Sequence, residues 1–261
     1  CFPIFLTFPY VSIILGIYAF TLPKCPPMCK GEKNTSFSRA LGLKAFELFK
    51  QRKFAIFFVF SMLLGAALQL TNAYGDTYIH DFANVDIYKD TIAVRYPAII
   101  MSISQVSETL FILAIPFFLR KFGIKYVMLF SMLAWVLRFG LFAFGNPSDG
   151  LWMIIMSCIV YGMAFDFFNI SGSLFVETQT DSKIRGSAQG MFMMMVNGFG
   201  ALIGSFASGY IIQQYFTLTD GSKDWFGIWI TFASYALVLA LIFPFVFKYK
   251  HDPKVLGELT H

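Results

Sequence analysis

The sequence predicts an all-α integral membrane protein with seven transmembrane helices, and three observations support this fold class. Of the 261 residues, 57% are hydrophobic and 13% are charged, whereas a soluble domain carries about 25% charged residues. The apolar residues form continuous runs of about 20 rather than the alternating pattern of an outer-membrane barrel. Lys and Arg cluster in alternate loops between these runs, as the positive-inside rule describes for helical membrane proteins.

Seven apolar segments are each long enough to cross about 30 Å of hydrocarbon as a helix. They are residues 2–22, 54–74, 98–119, 124–145, 151–176, 187–213 and 226–247. The loop between the first two ends in residues 38–53, whose pattern indicates an interfacial amphipathic helix. The predicted divisions are a transmembrane helix 1–22, an interdomain loop 23–53, a six-helix domain 54–248 and a tail 249–261.

The distribution of basic residues predicts the orientation in the membrane. Sixteen of the 20 Lys and Arg residues lie in loop 23–53, in the alternate loops after it, or in the C-terminal tail. Three lie on the opposite side, and Arg138 lies inside a span. Loop 23–53 and the C-terminus are therefore predicted to be cytoplasmic, and the acidic, aromatic loop 75–97 to face outward.

The order of the segments is typical of the middle and second half of a 6 + 6 transporter. It consists of one apolar segment, a long basic loop and six closely linked segments. Such transporters bind substrate near the bilayer midplane between two six-helix halves. The chain starts with Cys1, directly before an apolar segment and without a basic leader. We therefore expect a longer polypeptide in which five helices precede residue 2 and complete the N-terminal half.

Other classes of function find little support in the sequence. Cys25 and Cys29 have no further Cys or His nearby, so no metal site is predicted. His80, His251 and His261 all lie outside the apolar segments, and no nucleophile constellation appears, so we predict neither an enzyme nor a cofactor. The sequence pI of 9.0 reflects topology rather than a nucleic-acid partner.

Three full charges lie within the predicted spans: Glu108, Arg138 and Asp166. A carboxylate near the middle of a span costs about 2.5 kcal/mol or more, so each charge must be compensated or used. Arg138 and Asp166 lie on consecutive antiparallel helices, and they form a candidate intramembrane charge pair. The alternative is that at least one of the two takes part in transport.

Two consecutive spans each present a pair of polar side chains at a similar depth. Gln69 and Asn72 share one helix face, as do Gln105 and Glu108. Amides and a carboxylate both donate and accept hydrogen bonds, which suits a neutral ligand with hydroxyls and ring nitrogens. The alternative is interhelical hydrogen bonding that only stabilises packing.

Aromatic residues and glycines mark the last helices. Tyr161 and Phe165 share a face and could contact a planar ring, although such a stripe is also typical of a core or a lipid contact. Gly200 and Gly204 are spaced for close helix approach.

Four stretches resemble the nucleoside–proton symporters of the major facilitator superfamily. They are Gly65–Asn72 (GAALQLTN), Ser102–Phe111 (SISQVSETLF), Ala134–Phe139 (AWVLRF) and Tyr161–Glu177 (YGMAFDFFNISGSLFVE). The resemblance runs over nearly the whole chain, from the sixth helix of the family to the twelfth.

The resemblance implies a twelve-helix permease of the bacterial inner membrane that takes up purine and pyrimidine nucleosides with protons. It also implies the substrate-binding residues, which carry over to Gln69, Asn72, Gln105, Glu108, Tyr161 and Phe165. The family's N-terminal half, which contributes further contacts, is not part of this sequence.

Within that resemblance, Glu108 is the first candidate for proton coupling and Asp166 the second. Burial favours the neutral form of a carboxyl group, and protonation turns a pure acceptor into a donor and acceptor. Glu177 and Arg185, near Arg120, could pair and separate during the cycle. The alternatives are a symporter for sugars or other polyhydroxylated neutral solutes, and a membrane receptor that transports nothing.

Overall fold

The computed structural model describes residues 2–23 and 43–249. The segment 24–42, with Cys25 and Cys29, and the tail from residue 250 lie outside the described residues. The chain divides into two units, Cys1–Ala40 and Leu41–His261. The first unit contains one apolar helix, α1 (Phe2–Ala19), with Pro9 inside it.

The second unit is a bundle of helices, and the part of it that the structure describes contains no β-strand. It begins with a 3-10 helix, Leu43–Lys50, which lies within the predicted amphipathic segment. The helices that follow are α2 (Arg52–Asp81), the short α3 (Ile92–Arg95), α4 (Pro97–Phe144), α5 (Leu151–Gln179), α6 (Arg185–Phe216) and α7 (Trp225–Val246).

Five helices of the described residues are long and apolar enough to cross a membrane. One of them, α4, has 48 residues, or about 70 Å at 1.5 Å per residue, more than twice the thickness of the hydrocarbon core. It is bent at Gly123, whose φ of 77° and ψ of 167° are non-helical. Phe122 and Phe130, on either side of the bend, make an edge-on ring contact at 5.1 Å. The two limbs, 97–122 and 124–144, therefore fold back on each other.

Helix α2 extends further than the sequence predicted. The apolar segment ended at residue 74, but the helix continues to Asp81. Tyr78 explains the extension, since it is buried and its hydroxyl group lies 2.8 Å from the carbonyl oxygens of Phe142 and Gly145. Packing of this aromatic residue keeps the helix regular beyond the apolar run.

The glycines of α6 permit close contact with α2, as their spacing predicted. A Cβ atom at Gly200 would lie 2.6 Å from the carbonyl oxygen of Met62, and one at Gly204 would lie 2.8 Å from the Cα atom of Ala66. The stretch that ends at the first of these contacts, Met194–Gly200, is wound as a π-helix. The two backbones could not approach so closely with larger residues at these positions.

Candidate functional site

A cavity of about 480 Å³ lies between α2, α4 and α5. Most of its lining residues have polar groups, although the exposed wall is mainly apolar, and the lining contains residues from both predicted polar pairs. The lining residues are Thr71, Asn72, Asp76, Ala98, Met101, Ser102, Ser104, Gln105, Arg138 and Tyr161. A cavity of this volume falls in the range that holds small organic ligands.

Three of the six predicted binding residues line this cavity: Asn72, Gln105 and Tyr161. Asn72 and Gln105 are exposed, so their amide groups are free to bind a ligand. They come from antiparallel helices, and the structure therefore brings together the faces that the sequence placed at one depth.

The other three predicted residues lie beside the cavity rather than in its wall. Gln69 and Glu108 are each three residues from a lining amide, and both are half-buried. Phe165 borders a separate narrow crevice together with Trp135 and Phe168. Glu108 makes no ion pair within 4.0 Å in the described part of the chain, although it interacts electrostatically with Arg138 and Asp166 at longer range.

The rings of Tyr161 and Phe165 are parallel within 1°, with their centres 5.9 Å apart. A planar base between two rings needs about 7 Å, since carbon atoms prefer separations of 3.5–4.0 Å. A ligand base therefore cannot lie between these two side chains in this conformation. The base can contact only a ring face or ring edge that points into the cavity.

Arg138 lies in the cavity wall, in a network that the sequence did not predict. Its side chain is 0% exposed. The guanidinium group donates from Nη1 to the Ser157 carbonyl oxygen at 2.7 Å and from Nε to Thr71 Oγ1 at 3.4 Å. Its carbon atom lies 4.4 Å from the centre of the Tyr161 ring and 4.9 Å from that of Phe142.

The candidate pair of Arg138 with Asp166 is not formed. No ion pair within 4.0 Å joins the two residues, and Asp166 Oδ2 is buried with no hydrogen-bond partner. Arg138 instead meets α5 at Ser157 and Tyr161. Asp166 lies five residues beyond Tyr161, which places it about 7.5 Å further along the helix and on another face. The sequence placed Asp166 near the middle of its span and Arg138 somewhat toward the outer side of the preceding one, but it could not fix the rotation of either helix.

Ser104, which lies four residues before Glu108, also lines the cavity. It is 3% exposed, and its hydroxyl group has no hydrogen-bond partner. A buried polar atom without a partner costs free energy. The i−4 spacing from Glu108 was the available signal.

Two contacts hold α5 against its neighbouring helices. A Cβ atom at Gly162 would lie 2.7 Å from the Ser107 carbonyl oxygen, so α4 and α5 touch there at backbone level. At the far end of α5, Glu177 Oε1 lies 2.7 Å from Arg185 Nη1, and this is one of the ion pairs that the sequence suggested. Among the described residues, no group of three or more His, Cys, Asp or Glu could hold a metal ion.

Comparison with known proteins identifies the family. A family model described as "Nucleoside H+ symporter" matches residues 3–252. The chain belongs to this family. Proteins similar to this chain include the xanthosine permease of Escherichia coli K12, which is 57% identical over 253 residues, and the nucleoside permease NupG of the same strain, which is 52% identical over 251 residues.

These matches cover 96% of this chain but only 60% and 59% of the two relatives. The chain therefore spans about three fifths of their length. A crystal structure of the nucleoside transporter NupG matches with a TM-score of 0.77 at 52% identity, and that of a NupG mutant with 0.81 at 51% identity. Each match covers 92% of this chain and 59% of the solved one. This member of the family is therefore a multi-pass membrane protein, and the part of it that the structure describes is helical.

Proposed function

We propose that the chain forms the sixth helix and the C-terminal six-helix half of a twelve-helix, proton-coupled nucleoside permease of the bacterial inner membrane. The bend at Gly123 supports the helix count, because the two limbs of α4 then act as two spans. With α1, α2, α5, α6 and α7 they make seven. The distribution of Lys and Arg supports a cytoplasmic loop 23–53 and C-terminus.

The observation that carries this proposal is the cavity lined by Asn72, Gln105, Arg138 and Tyr161. Nucleosides join a polyhydroxylated ribose to a flat base, and this wall offers amides for the first and an aromatic ring for the second. The relatives are named for xanthosine and for nucleosides. The N-terminal half of the same polypeptide supplies the opposite wall.

Proton coupling is assigned to Glu108, with Asp166 as the second candidate. Glu108 is three residues from Gln105, so a change in its charge alters the site one helical turn from a ligand contact. Asp166 is more deeply buried, with one carboxyl oxygen unpartnered. Rocking of the two halves then exposes Gln69, Glu108 and Phe165 to the ligand, in addition to the residues that already line the cavity.

Uptake of labelled uridine tests the proposal. The chain is first completed upstream of Cys1 from its own reading frame and expressed in bacteria without other nucleoside uptake. We expect uptake that requires a proton gradient and is inhibited by adenosine but not by hexoses. Absence of nucleoside uptake by a protein present in the membrane would refute the assignment, and inhibition by hexoses would favour the sugar alternative.

Charge-neutral variants then separate the two carboxylates. Glu108→Gln should abolish gradient-driven uptake while uridine exchange across the membrane persists, because exchange needs no net proton movement. Asp166→Asn is the matched control, since it removes the other carboxylate of the same region. If Glu108→Gln still accumulates uridine and Asp166→Asn does not, the coupling role belongs to Asp166.

A further inference from the structure

A second cavity, of about 290 Å³, lies on the side of α5 that faces away from the polar cavity. Helix α5 contributes Met163 to this second cavity and Tyr161 to the polar one, and residues two apart point in directions about 200° apart around a helix. The other walls come from both limbs of α4. The lining residues include Phe118, Phe122, Phe130, Leu133, Leu137 and Met163. Every lining side chain is hydrophobic, and we call this cavity the apolar groove.

The apolar groove is open and elongated. Two of its wall residues, Leu133 and Leu137, are 44% and 49% exposed, so it opens to the outside of the described bundle. From the bend at Gly123 to Leu137 the second limb of α4 rises about 20 Å, compared with about 15 Å for one leaflet of the hydrocarbon core. The groove therefore fits an extended apolar chain better than a compact solute.

An unpaired positive charge lies at the end of the apolar groove nearest the bend. Lys121 Nζ lies 5.4 Å from the ring centre of Phe122, which is a wall residue, and 5.7 Å from that of Phe117. Lys121 is exposed, as is Arg120 beside it. In the part of the chain that the structure describes, no carboxylate oxygen lies within 4.0 Å of either side chain. The ammonium group of Lys121 is therefore free to donate up to three hydrogen bonds at the mouth of the groove.

We propose that the apolar groove binds one acyl chain of an anionic phospholipid and that Lys121 binds the phosphate of its headgroup. In the proposed orientation of the chain, the bend at Gly123 lies at the cytoplasmic leaflet, where anionic lipids attract basic residues. Basic pockets between transmembrane helices on that side are typical sites for anionic headgroups. The bound lipid contacts both limbs of α4.

Charge complementarity favours this occupant over an apolar helix of a second copy or another protein. Such a helix could cover Leu133 and Leu137, but it would leave the charges of Lys121 and Arg120 without a counter-charge. A phospholipid satisfies both parts of the site, since its chain follows the groove and its phosphate reaches the ammonium group.

Photolabelling of the completed permease in a neutral detergent tests the proposal. The probe is phosphatidylglycerol with a diazirine group on one acyl chain. Phosphatidylcholine with the same chain is the reference, since it has a phosphate group but no net charge. Peptide mass spectrometry then locates the label. We expect label on the α4 peptide that contains Leu133 and Leu137, at least about fivefold more from phosphatidylglycerol, since each basic residue near an anionic lipid contributes about that factor.

Two variants separate the headgroup contact from the groove. Lys121→Gln should reduce the phosphatidylglycerol label on this peptide about fivefold, whereas Lys183→Gln, at an exposed basic residue outside the groove, should not change it. Leu133→Trp places a larger side chain in the groove and should remove the label from both lipids. Leu237→Trp is its matched control, because Leu237 is 42% exposed on α7 and does not line the groove.

Three results would overturn the proposal. Equal labelling of this peptide by both lipids in the wild type would show that no anionic headgroup is recognised, and this comparison needs no variant. Unchanged phosphatidylglycerol labelling in Lys121→Gln would remove Lys121 from the site. Cross-linking of the peptide to a second copy, without lipid label, would make the groove an interface between copies. The labelling measures no transport, so its outcome is independent of nucleoside uptake.

Discussion

The guanidinium carbon of Arg138 lies 4.4 Å above the ring centre of Tyr161, so a residue predicted to flank the ligand also supports a buried charge. Cation–π contacts are worth about 2 kcal/mol when they are shielded from water. The ring of Tyr161 thus links the stability of the helix pair α4–α5 to the shape of the cavity.

Tyr161→Leu should lower the thermal midpoint in detergent by about 5 °C, since about 2 kcal/mol of cation–π stabilisation is lost. Tyr161→Phe keeps the ring and should stay within about 2 °C of the wild type. A fluorescence-detected thermal shift on purified protein measures both. Equal losses for the two variants would show that the ring does not stabilise Arg138.

The close contact of α4 with α5 at Gly162 predicts a steric effect. A methyl group at Gly162 would lie 2.7 Å from the carbonyl carbon, the carbonyl oxygen and Oγ of Ser107. Gly162→Ala should therefore destabilise the protein by about 1–3 kcal/mol, as overpacking typically does. Gly140→Ala is the matched control, because it is also helical and has no atom within 4 Å of an added Cβ. The control should be neutral or slightly stabilising. Equal stability changes in the two variants would show that α4 and α5 are not in close contact at Gly162.

The bend of α4 depends on Gly123, whose φ of 77° and ψ of 167° belong to a region that is almost restricted to glycine. Gly123→Ala should cost about 1–3 kcal/mol from backbone strain. Gly123→Asn should not restore stability, since asparagine tolerates the left-handed helical region but not this ψ. Thermal midpoints of the two variants, compared with that of Gly140→Ala, test this. A stable Gly123→Ala would mean that α4 does not bend here.

The sequence predicted the helices well because hydrophobic length is a local property that does not depend on packing. The sequence predicted separate apolar segments 98–119 and 124–145, and the structure bends one long helix at Gly123, between them. The end of α2 was placed too early, since Tyr78 is held by contacts with Phe142 and Gly145 that are distant in sequence.

The candidate site was predicted only in part. Asn72, Gln105 and Tyr161 line the cavity, and their spacing on polar or aromatic faces let the sequence place them together, while their role in binding stays a prediction. The rotation of α4 against α5 decides the partners of Arg138, and no local pattern encodes it. The side chain therefore lies among Thr71, Ser157 and Tyr161 rather than with Asp166.

The loop between α2 and α4 should show a small pH dependence. Arg95 donates a 2.8 Å hydrogen bond to Asp90, and this bond and the positive charge lower the pKa of the Asp90 carboxyl below its ordinary value. A lowered folded-state pKa stabilises the protein above the unfolded pKa, and this contribution disappears as the pH falls through the folded value. The pair is exposed, so Arg95→Gln should reduce the midpoint by only about 1 °C at neutral pH and low salt. A difference that persists unchanged in acid would exclude this ion pair as its cause.

The buried carboxyl group of Asp166 allows the sharpest separation of structure from transport. It is 5% exposed, Oδ2 has no partner, and Arg138 is not within 4.0 Å. Asp166→Asn should therefore change stability by about 1 kcal/mol or less, whereas breaking a buried ion pair costs about 3–5 kcal/mol. In a double-mutant cycle with Arg138→Gln, the coupling energy should be below about 0.5 kcal/mol, as for residues without direct contact. A coupling of several kcal/mol would show that the two charges pair in the membrane. With weak coupling, a loss of gradient-driven uptake in Asp166→Asn would reflect proton movement rather than a broken fold.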